Sequence, residues 1–182
     1  MMRTKRGMRF MTVAGFLAVL GLASGTRAQG GEIPLNRVPK AVMNSAKAKF
    51  PGAKIKVASE ETEDGKPPVF ALEIKHHRHN VDVTFKVDGT VVLVETDVPA
   101  KELPKVVRRA VAHRYPGATV RGAESVTTGP EVKKKADYYQ FYLVTADEKP
   151  TALVKVDPNG KVLEPEAKTA VKKRDKNGMK KG

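Results

Sequence analysis

Three of the four histidines in this 182-residue chain fall within four positions, in Lys75-His76-His77-Arg78-His79-Asn80. Neutral imidazole is a common transition-metal ligand and His-rich tracts often bind metal, so the first chemistry to weigh is a metal centre on His76, His77 and His79. First-row sites need three or four convergent ligands. His77 and His79 share a side if the backbone there is extended, yet the sequence places no carboxylate or further His to complete a coordination sphere, and His113 lies in a helical stretch. The tract therefore reads first as a solvated loop. A small-molecule or metal-binding role for residues 76–79 stays open as the alternative.

Other reactive-looking stretches offer less. Glu60-Glu61-Thr62-Glu63-Asp64-Gly65 has the acidity of a calcium loop but lacks the alternating oxygen ligands and the closing bidentate Glu. It reads as an acidic turn before Lys66-Pro67-Pro68, and Lys133-Lys134-Lys135 reads as a solvated basic turn. The serines beyond residue 28 stand at 45, 59 and 125, none in a nucleophile elbow, and there is no glycine-rich phosphate loop. The sequence points to binding rather than catalysis, and it calls for no cofactor.

Composition narrows the setting. Arg3, Lys5, Arg6 and Arg9 precede an uncharged, mostly apolar run from Phe10 to Ala23 and then Thr26-Arg27-Ala28. That order predicts a signal peptide over 1–28, and hence an exported protein, periplasmic or extracellular after cleavage. The run is shorter than the ~20 residues a spanning helix needs, so a transmembrane protein is not expected. The chain has no Cys, which excludes disulfides, thiolate metal sites and a Cys nucleophile.

The net charge of +14 suggests nucleic acid until it is divided along the chain. Residues 1–28 hold five Lys or Arg and no acid, and residues 168–182 hold seven against Asp175 alone, which leaves +3 for residues 29–167. Specific nucleic-acid binding loses its support. Residues 167–182 read as a disordered basic tail that could touch an anionic surface.

These side chains must be positioned by elements, and a repeat defines the elements. Val38-Pro39-Lys40 through Phe50-Pro51-Gly52-Ala53 lines up with Leu103-Pro104-Lys105 through Tyr115-Pro116-Gly117-Ala118 at an offset of 65. Val38, Val42, Ala46 and Phe50 form one helical stripe; Leu103, Val107, Val111 and Tyr115 form the other. Each Pro suits the first helical turn, and the aromatic-Pro-Gly ends the helix. Strand alternation follows: Phe70, Leu72, Ile74; then Val81, Val83, Phe85; then, after Asp88-Gly89, residues 91–95. The second copy supplies Tyr139, Phe141, Leu143 and Ala152, Val154, Val156, with Asp157-Pro158-Asn159-Gly160 as its turn. The expected fold class is α+β, two tandem repeats over 33–97 and 98–166, each one helix packed on an antiparallel sheet of about four strands.

The alternation also gives outward faces. In the first repeat Ala71, Glu73, Lys75, Asp82, Thr84 and Lys86 form an ordinary charged solvent side, with His76–His79 in a hairpin loop. In the second, Tyr138, Gln140, Tyr142, Val144, Thr151, Leu153 and Lys155 put aromatic and aliphatic groups where the twin has charges. Tyr is enriched at interface hot spots because its rigid ring buries area at low entropy cost. The expected protein-binding residues are Tyr138, Tyr142, Leu153 and Gln140, with Glu73 and Lys75 at a polar rim.

The paired aromatic-Pro-Gly-Ala motifs at 50–53 and 115–118, the apolar-Pro-Lys helix entries and the Asp-Gly or Asn-Gly before each last strand resemble the PepSY-like family, related in fold to the beta-lactamase inhibitor protein. The resemblance covers about residues 33–166. It implies helices on one side of joined or adjacent sheets, and an open concave side that holds a protruding segment of another protein, with inhibition of a protease or hydrolase as one outcome. The lactamase inhibitor is disulfide-bonded and this chain has no Cys; no inhibitory residue carries over.

Overall fold

The structure is a computed structural model and describes residues 29–132, 135–144 and 150–163. The expected signal peptide, the basic tail, the start of the Lys133–Lys135 run and the loop at 145–149 lie outside the described residues. So do the side chains of Thr151 and Ala152.

The chain forms one antiparallel sheet in which spatial order equals chain order, β1 to β9. β1 (Gln29–Glu32) precedes a 3-10 turn and helix α1 (Lys40–Lys49), which is followed by β2 (Lys54–Thr62), β3 (Val69–His76), β4 (His79–Lys86) and β5 (Val91–Asp97). Helix α2 (Lys105–Arg114) is then followed by β6 (Thr119–Thr128), β7 (Tyr138–Val144), β8 (Pro150–Val156) and β9 (Val162–Leu163). In place of two sheets of about four strands, the described residues form a single sheet of nine, because β5 pairs with β6 through Leu93↔Thr128 to Asp97↔Glu124. An unanticipated edge strand, β1, pairs with β2.

Both helices begin and end alike. Pro39 and Pro104 are the N-caps, and Phe50 and Tyr115 the C-caps. Gly52 and Gly117 follow with φ of 76° and 80°, the left-handed region in which a Cβ is disfavoured. The acidic stretch read as a turn is partly strand: β2 runs through Glu60, Glu61 and Thr62, and the turn is confined to Glu63–Lys66, where Lys66 N donates to Glu63 O at 2.9 Å.

One sheet face carries both helices. Under α1, Val38, Val42, Ala46 and Phe50 pack with Phe70, Leu72, Ile74, Val81, Val83 and Phe85. Under α2, Leu103, Val107 and Val111 pack with Ala123, Phe141, Leu143, Val154 and Val156, flanked by Tyr115 and Tyr139. Burial of each such aliphatic or aromatic side chain contributes ~1.5–3 kcal/mol, and this face is where the fold gains most of its stability. Two turns clamp the helices from their N-terminal ends. A Cβ built on Gly89 would lie 2.6 Å from the Ala41 carbonyl oxygen, and one on Gly160 2.7 Å from Val106 Cγ2.

Candidate functional site

The face opposite the helices is built by cross-strand register, since directly paired residues project to the same side. One lateral row runs Val57–Glu73–Asp82–Glu95–Val126–Tyr138 across β2 to β7. The next runs Lys75–Asn80 on β3 and β4 and Asp97–Glu124–Gln140–Lys155–Leu163 on β5 to β9. Beyond it, a register shift in β6 brings Gly122 opposite Tyr142, itself opposite Leu153. A Cβ on Gly122 would lie 3.6 Å from Tyr142 Cδ2, so the ring lies across the bulge.

Five carboxylates, Glu73, Asp82, Glu95, Asp97 and Glu124, thus share the middle of an open face. Gln140, only 4% exposed, supplies the donors that hold two of them. Its Nε2 donates to Glu95 Oε1 at 2.7 Å and to Glu124 Oε2 at 2.6 Å. Tyr142 OH donates to Glu124 Oε2 at 3.0 Å, and Asn80 Nδ2 to Asp97 Oδ2 at 2.6 Å. Among the described residues no Lys or Arg stands within ion-pair distance of these five groups.

Burial without a counter-ion disfavours the charged form. Burial first, then Glu73, Glu124, Glu95 and Asp97, raise Asp82 to about 7. Glu95 is likewise raised to about 7, by burial and by Glu124, against the opposing pull of Gln140 and Lys155. Burial raises Glu124 and Glu73 too, with Lys56 opposing at Glu73. Burial and the neighbouring carboxylates push the Tyr142 hydroxyl well above its ordinary value, so it remains a donor.

Of the residues chosen from sequence, Tyr138, Tyr142, Leu153, Gln140, Glu73 and Lys75 all lie on this face. Gln140 is buried at the centre of its hydrogen-bond network. Tyr138 is half-buried beneath Lys155, whose Nζ is 5.4 Å from the ring centroid. Lys75 stands at one end, donating to Arg78 O at 2.7 Å, with Lys56 reaching Asn80 Oδ1 at 3.2 Å. The sequence reading missed Glu95 and Glu124 and took Asp82 as ordinary solvent-facing charge. One signal was available: Val91-Val92-Leu93-Val94 is apolar on both faces, which marks a strand covered on both sides, and Glu95 continues it.

The histidines are separate. His76 and His79 pair across a two-residue turn of His77 and Arg78, with His77 at φ 54°. The His76 ring packs edge-on against Phe50 at 5.7 Å and lies 4.1 Å from His77. His79 Nδ1 donates to the Asp97 carbonyl oxygen at 2.9 Å. Among the described residues no three His, Cys, Asp or Glu are gathered as a metal-holding group. No helix among them is long and apolar enough to cross a membrane.

The fold and site define a class of protein: a helix-backed antiparallel sheet whose other face is open and polar-lined. The chain matches the family described as "Putative beta-lactamase-inhibitor-like, PepSY-like" over residues 24–66 and 73–164, and it belongs to that family. No curated protein matches it. Among solved structures it is similar to a DUF2874 family protein from Bacteroides uniformis (18% identity, 70% of this chain and 87% of that one, TM-score 0.57). It is also similar to a BLIP-like protein from Bacteroides fragilis (16%, 70% and 85%, TM-score 0.53). A third is described as "putative periplasmic proteins" from Bacteroides eggerthii (19%, 71% and 88%, TM-score 0.58). At these identities the likeness is one of fold.

Proposed function

We propose that the chain is an exported, non-enzymatic binding protein, made of two copies of one helix-and-strand unit, that recognises a segment of another protein on the open face of its sheet. The observation that carries this reading is that, among the described residues, no helix covers this face. Both helices lie on the other side, and the open side keeps Tyr138, Tyr142 and Leu153 half-exposed beside half-buried, ionisable Asp82, Glu95 and Glu124. A face without a partner gains nothing from burying carboxylates without counter-ions, which costs stability. Retaining them beside aromatic anchors is the composition of a recognition surface. The family description and the neighbours' printed names support an inhibitor-like, periplasmic setting, and inhibition of the bound target follows if the segment held is one that the target needs.

The test is proximity capture from the exported fraction with wild type beside Tyr138→Ala/Leu153→Ala, which leaves Gln140 and Tyr142 in place. Loss of a wild-type partner by a variant with unchanged melting supports the reading. A folded variant that keeps every partner overturns it.

A further inference from the structure

We propose that the β5–β6 pairing is a proton-controlled seam, closed in mildly acidic medium and opening under alkaline conditions while the unit on either side keeps its own core. This goes beyond recognition of a partner, since it concerns how the sheet is held together in the free chain.

The packing divides at that pairing. The apolar cluster under α1 ends at Val91 and Val94 of β5, and the one under α2 takes up Ala123 of β6; among the described residues neither crosses. On the helix side Val94 meets Thr127 and Thr96 meets Ser125. On the open side Val126, fully buried, has Glu95 as its partner. Apolar burial, which fixes each helix to its own strands, therefore contributes less between the units than within them.

Carboxylates gather along the same line. Asp97 stands directly opposite Glu124 across β5–β6, and Asp82 directly opposite Glu95 across β4–β5. Like charges in directly opposed positions destabilise a pair of strands. Glu73 lies beyond Asp82 on β3, where Lys56 of β2 and Glu32 of β1 act on it with opposite sign. Glu61 of β2 adds to the repulsion at Glu95, and Lys155 of β8 opposes it. Lys75 is turned to the Arg78 carbonyl and Asn80.

The groups that hold the seam carboxylates are neutral donors. Gln140 Nε2 joins Glu95 to Glu124, Tyr142 donates to Glu124, and Asn80 to Asp97. Such a bridge tolerates one proton-bearing and one charged carboxyl and is opposed by repulsion once both are charged. Glu95 and Asp82, both raised to about 7, gain charge between mildly acidic and alkaline pH. The β4–β5 pair shares Val83↔Val94 with the α1 cluster, so the added repulsion is released where no cluster spans the strands, at β5–β6. Opening is then local, with both hairpin cores intact.

Hydrogen exchange on the full chain tests this. Val98 N donates to Ala123 O and Gly129 N to Val92 O, so the alternation of bonded pairs puts the Val94, Thr96, Ser125 and Thr127 amides across the seam as well. Their protection, corrected for the intrinsic rate at each pH, is compared with that of the β3–β4 and β7–β8 hairpins. At pH 5 the two sets should agree within about threefold, as for one cooperative unfolding. At pH 8 the seam amides should be protected about tenfold less than the hairpins, the ratio that one pKa unit represents. In Glu95→Gln, and in Glu95→Gln/Glu124→Gln, side-chain size is kept and the gap at pH 8 should close to about threefold or less. Seam and hairpin amides that lose protection in step overturn the proposal. So does a gap of equal size at pH 5, or one that survives the substitutions. No partner takes part, so these outcomes and failure of partner capture are distinguishable.

Discussion

Gln140 and Glu95 are 45 residues apart and joined by a 2.7 Å hydrogen bond, which links the strand before α2 to the second strand after it. The same nitrogen reaches Glu124. One buried amide therefore holds two carboxylates that would otherwise repel each other across β5, β6 and β7.

Gln140→Ala should accordingly destabilise more at high pH than at low. At pH 8 Glu95 loses its donor while largely ionised, at a cost of about 1–3 kcal/mol. At pH 5 Glu95, raised to about 7, is mostly protonated and the loss is smaller. Urea melts at both pH values check this; an equal loss at the two counts against it.

Asp82 and Glu95 also set the pH dependence of the wild type. Their values rise from near 4 in the unfolded chain to about 7 in the fold. Between those values the native state holds more protons than the unfolded, so stability falls as pH rises. The contribution is fully present below about pH 4 and is lost as pH passes through about 7. The urea midpoint should be higher at pH 5 than at pH 8. Asp82→Asn should raise stability at pH 8 by about 1–2 kcal/mol, allowing for solvent screening, and change little at pH 5. A pH-independent difference between the two proteins contradicts the assignment.

How much of this could be read from residues alone differs by strand. β3, β4, β7 and β8 announce their phase, because Phe70-Leu72-Ile74 and Phe141-Leu143 alternate cleanly with polar neighbours and one face meets a helix. β6, Thr119-Val-Arg-Gly-Ala-Glu-Ser-Val-Thr-Thr128, does not. Its Ala123 faces α2 and its Val126 the opposite side, while Val120 is exposed, so no period of two survives the bulge at Arg121. The carboxylate group was invisible for a related reason. Its members come from β3, β4, β5 and β6, and only register makes them neighbours.

Glycine substitutions separate clash from backbone strain. Gly89 has φ 85° and its Cβ would strike Ala41 O; Gly65 has φ 76° and nothing within 4 Å of its would-be Cβ. Gly65→Ala should cost ~1–2 kcal/mol, the left-handed penalty alone. Gly89→Ala should cost clearly more, since helix α1 or the turn must move. Thermal melts that rank them equally would show that the turn does not bear on the helix.

Phe85 is fully buried between β4 and α1. Phe85→Ala should cost ~3–5 kcal/mol through lost burial and the cavity left behind. A loss below ~1 kcal/mol in denaturant melts would mean that β4 is out of phase.

His77→Gly should stabilise by ~0.5–1 kcal/mol, because a β-carbon at φ 54° is disfavoured and glycine removes it, less the entropy glycine adds to the unfolded chain. A lowered melting temperature would show that the ring contact of His77 with His76 outweighs the backbone term.

Strand order that equals chain order has a kinetic side. Every strand pairs only with its neighbours in sequence, and the longest steps between partners are those that carry α1 and α2. Most contacts therefore close short loops, and sheets built from local pairings pass the folding barrier faster than Greek-key or parallel arrangements of equal size. Assembly can begin at the β3–β4 or the β7–β8 hairpin and grow outward from both, with β1–β2 and the β5–β6 seam left as the two long closures. Until that seam closes, Gln140 has no Glu95 to hold, so the open face comes into being only as the two growing halves meet.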